Sequence, residues 1–394
     1  MSGKIVLFGA GATGRAHVGL LAWQAGYELV LVDKKPDLVE RLRQTGSYAV
    51  RLYGGSASAG DYLETQVSGF RVYPHTERQA IAEEIVDSDL VLTAVFDQNL
   101  PDVAQTLALA AAACRRVGRA RPLNCIACEN MMDSSSTLGR HVMGLLDGEA
   151  RAYVGKYWGF PDCMISRVVP QPESDPLLLI TEDYNEWTVR AEAFKGSRPA
   201  GLTAIELVDN QTARLERKLF IHNGGHAICG YFGFHYGHRY VHQAVADTRV
   251  AQHVLGALDE LGEIVRRKHG FSLESIEAYK QDLVHRGSIP ELRDEIQRVV
   301  RDPLRKLSPR ERLLAPATLA VEYELPRGWI VKGIVAALKY RHPGDAQSLL
   351  LAQKLAQNGL PAVLEEICGL ASSSPLIPEI QAEWEGWELA VPSL

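Results

Sequence analysis

The stretch Lys4-Ile5-Val6-Leu7-Phe8-Gly9-Ala10-Gly11-Ala12-Thr13-Gly14-Arg15 decides the fold. A short apolar run opens directly into G-x-G-x-x-G, and a helical pattern follows to Gln24. A second apolar run, 28–32, ends in Asp33, nineteen residues beyond Gly14. Strand, glycine turn, helix, strand and acid in this order form the context in which the motif binds a dinucleotide. Gly9 permits the tight turn, Gly11 lets a pyrophosphate approach the backbone, and Gly14 lets the helix pack close to the strand. The phosphates then lie at the helix N-terminus, beside Ala10 and Thr13. A carboxylate at Asp33 accepts hydrogen bonds from the adenosine ribose and repels a 2′-phosphate, which favours NAD over NADP. The neighbouring Lys34 and Lys35 pull the other way.

Beyond this unit the alternation continues. Strands are expected at 4–8, 28–32, 90–95 and 123–128, and helices at 15–25, 36–45, 78–85 and 101–117. Such alternation predicts a Rossmann-type, doubly wound parallel α/β sheet. Runs at 165–169, 177–181 and 187–189 read as strands extending that sheet. Lys195 to Gly201 reads as a linker, and from 203 onward apolar spacing is helical. The expected division is a dinucleotide-binding domain over 1–196 and an all-helical substrate domain over 197–394, with chemistry in the cleft between them.

The size of 394 residues fits two domains. A formal charge of −6 gives no electrostatic reason to bind nucleic acid or an anionic membrane. No apolar run reaches the roughly 20 residues that span a bilayer, so a cytoplasmic protein is expected. The six cysteines are scattered, which favours free thiols. Cys125 and Cys128 have C-x-x-C spacing, but no second such pair completes a zinc site.

A second constellation lies in Glu216-Arg217-Lys218-Leu219-Phe220-Ile221-His222-Asn223-Gly224-Gly225-His226. On an α-helix Lys218 and Asn223 point about 140° apart, with His226 between them. Lysine serves as a base only where its surroundings favour the neutral form. Gly224 and Gly225 are poor helix residues unless something approaches closely. Glu129 and Asn130 follow an expected strand at its ligand-binding edge, where an amide can stabilise a developing alkoxide. His222 and His226 have the i, i+4 spacing of zinc ligands but lack the accompanying glutamate, so no metal is expected. His235, His238 and His242 read as polar surface or helix-end residues. Arg305, Lys306 and Arg310 lie in a basic turn suited to a phosphate, or equally to a salt-bridged surface.

Taken together, 8–15, 126–131, Glu216 to Phe220 with Asn223, 225–227, and 303–308 resemble the long-chain polyol dehydrogenase family, from the first strand to about residue 370. Within it the resemblance is to the mannitol-1-phosphate 5-dehydrogenases. It implies metal-independent, NAD-dependent hydride transfer between mannitol 1-phosphate and fructose 6-phosphate. Lys218 is then the general base, Asn130 and Asn223 hold the reacting oxygen, and His226 contacts a neighbouring hydroxyl. From its place at the strand edge, apart from the resemblance, Glu129 reads as holding a proton for Lys218 or tuning it, or, with Asn130, as capping the helix that follows. Oxidation needs neutral lysine, so its pH optimum should lie above that of reduction. Two departures are Gly224, where threonine is usual, and Lys34-Lys35-Pro36 after Asp33. Mannitol 2-dehydrogenase or hexuronate reductase activity is the alternative, and an NAD-binding sensor is the reading from another class. The expected partner is a small sugar phosphate or polyol, and the expected state a monomer or small homo-oligomer.

Overall fold

The computed structural model describes residues 3–55, 60–129, 131–172 and 174–389. The chain divides into two compact units, Met1–Leu215 and Glu216–Leu394.

The first unit contains β1 (Lys4–Phe8), β2 (Glu28–Asp33), β3 (Ser47–Tyr53), β4 (Tyr62–Ser68), β5 (Arg71–Pro74) and β6 (Leu90–Thr93). It continues with β7 (Leu123–Ala127), β8 (Trp158–Gly159), β9 (Cys163–Ser166), β10 (Leu178–Glu182), β11 (Glu186–Arg190) and β12 (Glu206–Val208). Six strands form a wholly parallel sheet in the order β5-β2-β1-β6-β7-β8. Every residue of β6 and β7 is buried, because apolar cores cover both faces of the sheet. This is why these strands read as mostly apolar runs rather than alternating ones. The chain winds outward from β1 in both directions, so the switch point lies between β1 and β6. The expected doubly wound fold is present.

The later strands do not extend this sheet. They build two separate three-stranded sheets, β10-β3-β4 and β12-β11-β9. In one of them β10 adds to the antiparallel pair β3/β4, whose register runs from Ser47 opposite Ser68 to Tyr53 opposite Tyr62. In β3, burial alternates along most of the strand, and sequence reading passed over this half-covered pattern. Residues 203–210 are likewise not helical. Leu202 and Ile205 are fully buried in the first unit's core, and β12 pairs in parallel with β11. The helix starts at Gln211, where Asn210 Oδ1 accepts from Ala213 N at 3.0 Å and caps it.

The second unit is helical around one apolar core. At its centre Asn223–His235 is buried along most of its length. The glycines there serve packing. A Cβ on Gly225 would meet Leu258 Cδ2 at 2.6 Å, and one on Gly224 would meet the Arg312 carbonyl oxygen at 3.0 Å. Thr248–His269, Leu273–Gly287 and Gly328–Lys339 are other long elements of this unit. Among the described residues no helix is long and apolar enough to cross a membrane.

Candidate active site

The glycine turn is built as its sequence requires. Gly9 has φ +91°, a conformation that a side chain would strain, and its N–H donates to Val32 O at 2.7 Å. A Cβ on Gly14 would lie 1.9 Å from the Gly9 carbonyl oxygen, so helix and turn touch backbone to backbone. A Cβ on Gly11 meets nothing within 4 Å. That open backbone at the head of a helix is the space a pyrophosphate needs. Ala10 is buried, and its carbonyl accepts from Arg15 Nε at 2.7 Å. Thr13 immediately precedes the helix and makes no side-chain cap bond. The helix begins with π-type hydrogen bonding over Gly14–Gly19.

Asp33 closes β2 and is 9 % exposed, with Oδ1 accepting from Lys35 N at 2.9 Å. Lys34 Nζ donates instead to Asn99 Oδ1 at 2.8 Å, so its ammonium has a protein partner. These residues fit an adenosine ribose better than a 2′-phosphate, and the cradle as a whole fits NAD.

Glu129 lies just past β7. Its Oε1 accepts from Thr93 Oγ1 at 2.6 Å and from Val95 N at 2.9 Å. Burial pushes its carboxyl up to about 7, against hydrogen bonds from Thr93, Val95 and its own backbone amide, which favour the ionised form. Asn130 lies outside the described residues.

The helix carrying Lys218 departs from the expected geometry in an informative way. Lys218–His222 is a π-turn rather than an α-turn. The Asn223 N–H donates to the carbonyl of Lys218, five residues back, as well as to that of Leu219. Five residues therefore span about one turn, and Lys218 and Asn223 lie on nearly one side instead of 140° apart. Lys218, Asn223 and His226 are all partly exposed, while Phe220, Ile221, Gly224 and Gly225 between them are buried.

One residue at this site was not anticipated, and another takes a different role. Asp294, 6 % exposed, holds His226 Nε2 at 3.1 Å and is itself gripped by Arg298. Burial raises its carboxyl, but His226 and Arg298 outweigh this and keep it below the usual range. With Asp294 ionised, Nε2 donates to it, and the ring is held in one orientation. His222 is 8 % exposed, its ring centroid 5.9 Å from that of His226. Burial, then Arg286, His226, Lys218 and Arg312, hold it well below its ordinary value, so it is neutral in a cationic setting. Asp294 had no local signal, since it belongs to a distant turn, whereas His222 showed only its i, i+4 spacing from His226.

The basic turn does not gather its three expected phosphate ligands into one cradle. Arg305 Nη1 pairs with Glu311 Oε1 at 2.8 Å, and Arg310 is exposed. Lys306 is buried and donates to the Arg301 carbonyl. Burial, with Arg312 and Arg305, lowers it to about 7. His235 is not surface: it is buried, with Nε2 2.9 Å from Ala336 O. His238 pairs with Asp247 at 2.9 Å, and His242 stacks on Tyr240. Cys125 and Cys128 belong to different cores, and the nearer partner of Cys128 is Cys163, at 3.9 Å between sulfurs.

Two solved structures resemble the whole chain. One is the Pseudomonas fluorescens mannitol 2-dehydrogenase ternary complex with NAD and D-mannitol. It has a TM-score of 0.76 and 17% identity, covering 98% of this chain and 91% of that one. The other is a D-sorbitol dehydrogenase in substrate-free form, with a TM-score of 0.81 and 17% identity, covering 98% and 93%. At that identity they show the fold. Residues 3–201 match the mannitol dehydrogenase Rossmann domain and residues 212–386 the mannitol dehydrogenase C-terminal domain. The chain thus belongs to the mannitol dehydrogenase family of oxidoreductases.

Proposed function

We propose that the chain catalyses NAD-dependent, reversible oxidation of a polyol phosphate, mannitol 1-phosphate, to the ketose, fructose 6-phosphate. The observation that carries the chemistry is the π-turn that sets Lys218 and Asn223 on one side of a helix, with His226 beyond them. Gly9, Ala10, Gly11, Thr13, Gly14 and Asp33 hold NAD, which supplies the hydride acceptor. Neutral Lys218 takes the proton of the reacting hydroxyl, and in reduction the protonated lysine returns it. Asn223 donates to the oxygen as charge develops, a contribution of about 3–4 kcal/mol for one such donor. Asn130 is assigned the same role from the family resemblance. His226 contacts the adjacent hydroxyl while Asp294 fixes the ring. The phosphate is supported by the cationic setting of His222, to which Arg286 and Arg312 contribute.

The test is NADH oxidation with fructose 6-phosphate and, separately, with fructose. Turnover confined to the phosphorylated sugar is expected. Preference for fructose would favour the second reading, a mannitol 2-dehydrogenase. That reading draws on the exposed Arg310 and on Lys306, which is engaged with a backbone carbonyl.

Asp294→Asn should loosen the His226 ring. We expect KM for the polyol to rise by about tenfold with kcat changed much less, the scale of one hydrogen bond to a charged group. An equal fall in kcat at unchanged KM would remove His226 from substrate binding.

A further inference from the structure

The order of the sheet dictates where the two halves of a dinucleotide go. Asp33 ends β2, the glycine turn follows β1, and β6 and β7 come next on the far side. A cofactor whose adenosine ribose meets Asp33 and whose pyrophosphate crosses Gly11 must run its other half over the carboxyl ends of β6 and β7. Glu129 lies there, anchored through Oε1 to Thr93 and Val95 at the end of β6. Among the described residues no other residue's donor reaches its second oxygen, Oε2, which is buried. Leaving a buried acceptor without a partner is costly, and such groups in native proteins call for a reason.

We propose that Glu129 Oε2 faces the nicotinamide end of the cofactor and discriminates its redox state by charge. The carboxylate favours the cationic ring of NAD+ over the neutral ring of NADH. This rests on the cofactor assignment above and is independent of which polyol is oxidised. Among the described residues, the groups acting on the carboxyl are Thr93, the Val95 amide and its own backbone amide, Asp97 in the following turn, and the buried thiol of Cys128 beside Cys163. None of these is a cation, so the only positive charge the proposal needs is the ring itself. The carboxyl titrates near 7 because burial opposes its charge, and this puts the effect within reach of a binding experiment.

The sign follows from linkage. A ligand that prefers the ionised carboxyl binds more tightly as pH rises through its titration, and one indifferent to charge does not. The experiment is calorimetric titration of the full chain with NAD+ and, separately, NADH from about pH 5.5 to about pH 8.5, using wild type and Glu129→Gln. Wild type should gain about tenfold in NAD+ affinity across that range, and less than about threefold for NADH. Glu129→Gln should be flat with pH and about tenfold weaker for NAD+ at the alkaline end. Glutamine keeps an oxygen for Thr93 and Val95, and the wild-type series alone decides the matter should the variant not fold.

A flat NAD+ profile in wild type overturns the proposal. So does an unaltered pH dependence in Glu129→Gln, or an equal loss for both redox forms. Failure of wild type to bind either form would instead remove the cofactor assignment, and the proposal with it.

Discussion

Lys218→Ala should lower kcat by about 10²–10⁴-fold in both directions, the range contributed by a positioned acid–base group. Cofactor affinity and the melting temperature should barely move, because the Lys218 side chain is partly exposed and lies outside the residues that cradle NAD. The π-turn should persist, since the Lys218–Asn223 hydrogen bond is between backbone atoms. A small primary amine added to the variant should restore part of the rate by supplying the missing base. Loss of NAD binding alongside the rate would point to a structural role, and retention of more than about a tenth of the rate would exclude Lys218 as the base.

The glycine turn offers the second large effect, and it separates binding from folding. Gly11→Val should leave the melting temperature nearly unchanged, because no atom lies within 4 Å of the position its Cβ would take. The same side chain fills the space over the helix N-terminus, so NAD affinity should fall by about 100-fold, close to 3 kcal/mol. Gly14→Ala should show the reverse order of damage. Its Cβ would lie 1.9 Å from the Gly9 carbonyl oxygen, and a backbone atom cannot swing aside. Overpacking of this kind costs about 1–3 kcal/mol and lowers the melting temperature first. Equal cofactor loss in both variants without any thermal difference would refute this division of roles.

Lys218 and Gly11 were both legible in the sequence because their signals are local. The glycine turn, its two strands and Asp33 occupy one short span, and each residue answers a backbone demand within a few positions. The same holds for the helical second half, where apolar spacing gave most helices, and for the K-x₄-N-x₂-H element. The expected 140° between Lys218 and Asn223 was wrong in detail, because one extra residue in a helical turn leaves no mark on apolar periodicity. The small sheets around β3 and β11 were missed for a related reason. Their strands pair with segments far away in the chain, and half-covered strands give a weak pattern.

By itself, then, the sequence determined which chemistry-bearing residues exist and on which kind of element each one sits. Periodicity, glycine placement and caps are written into neighbouring residues. Only the tertiary structure decided what those residues face. Asp294 reaches His226 from another helix's approach, and Glu129 is tied to Thr93 and Val95 across adjacent strands. Lys306 turns into the interior while Arg310 stays outside. Contacts of this sort are set by strand order and helix packing, which depend on burial summed over the whole chain rather than on any one stretch of it.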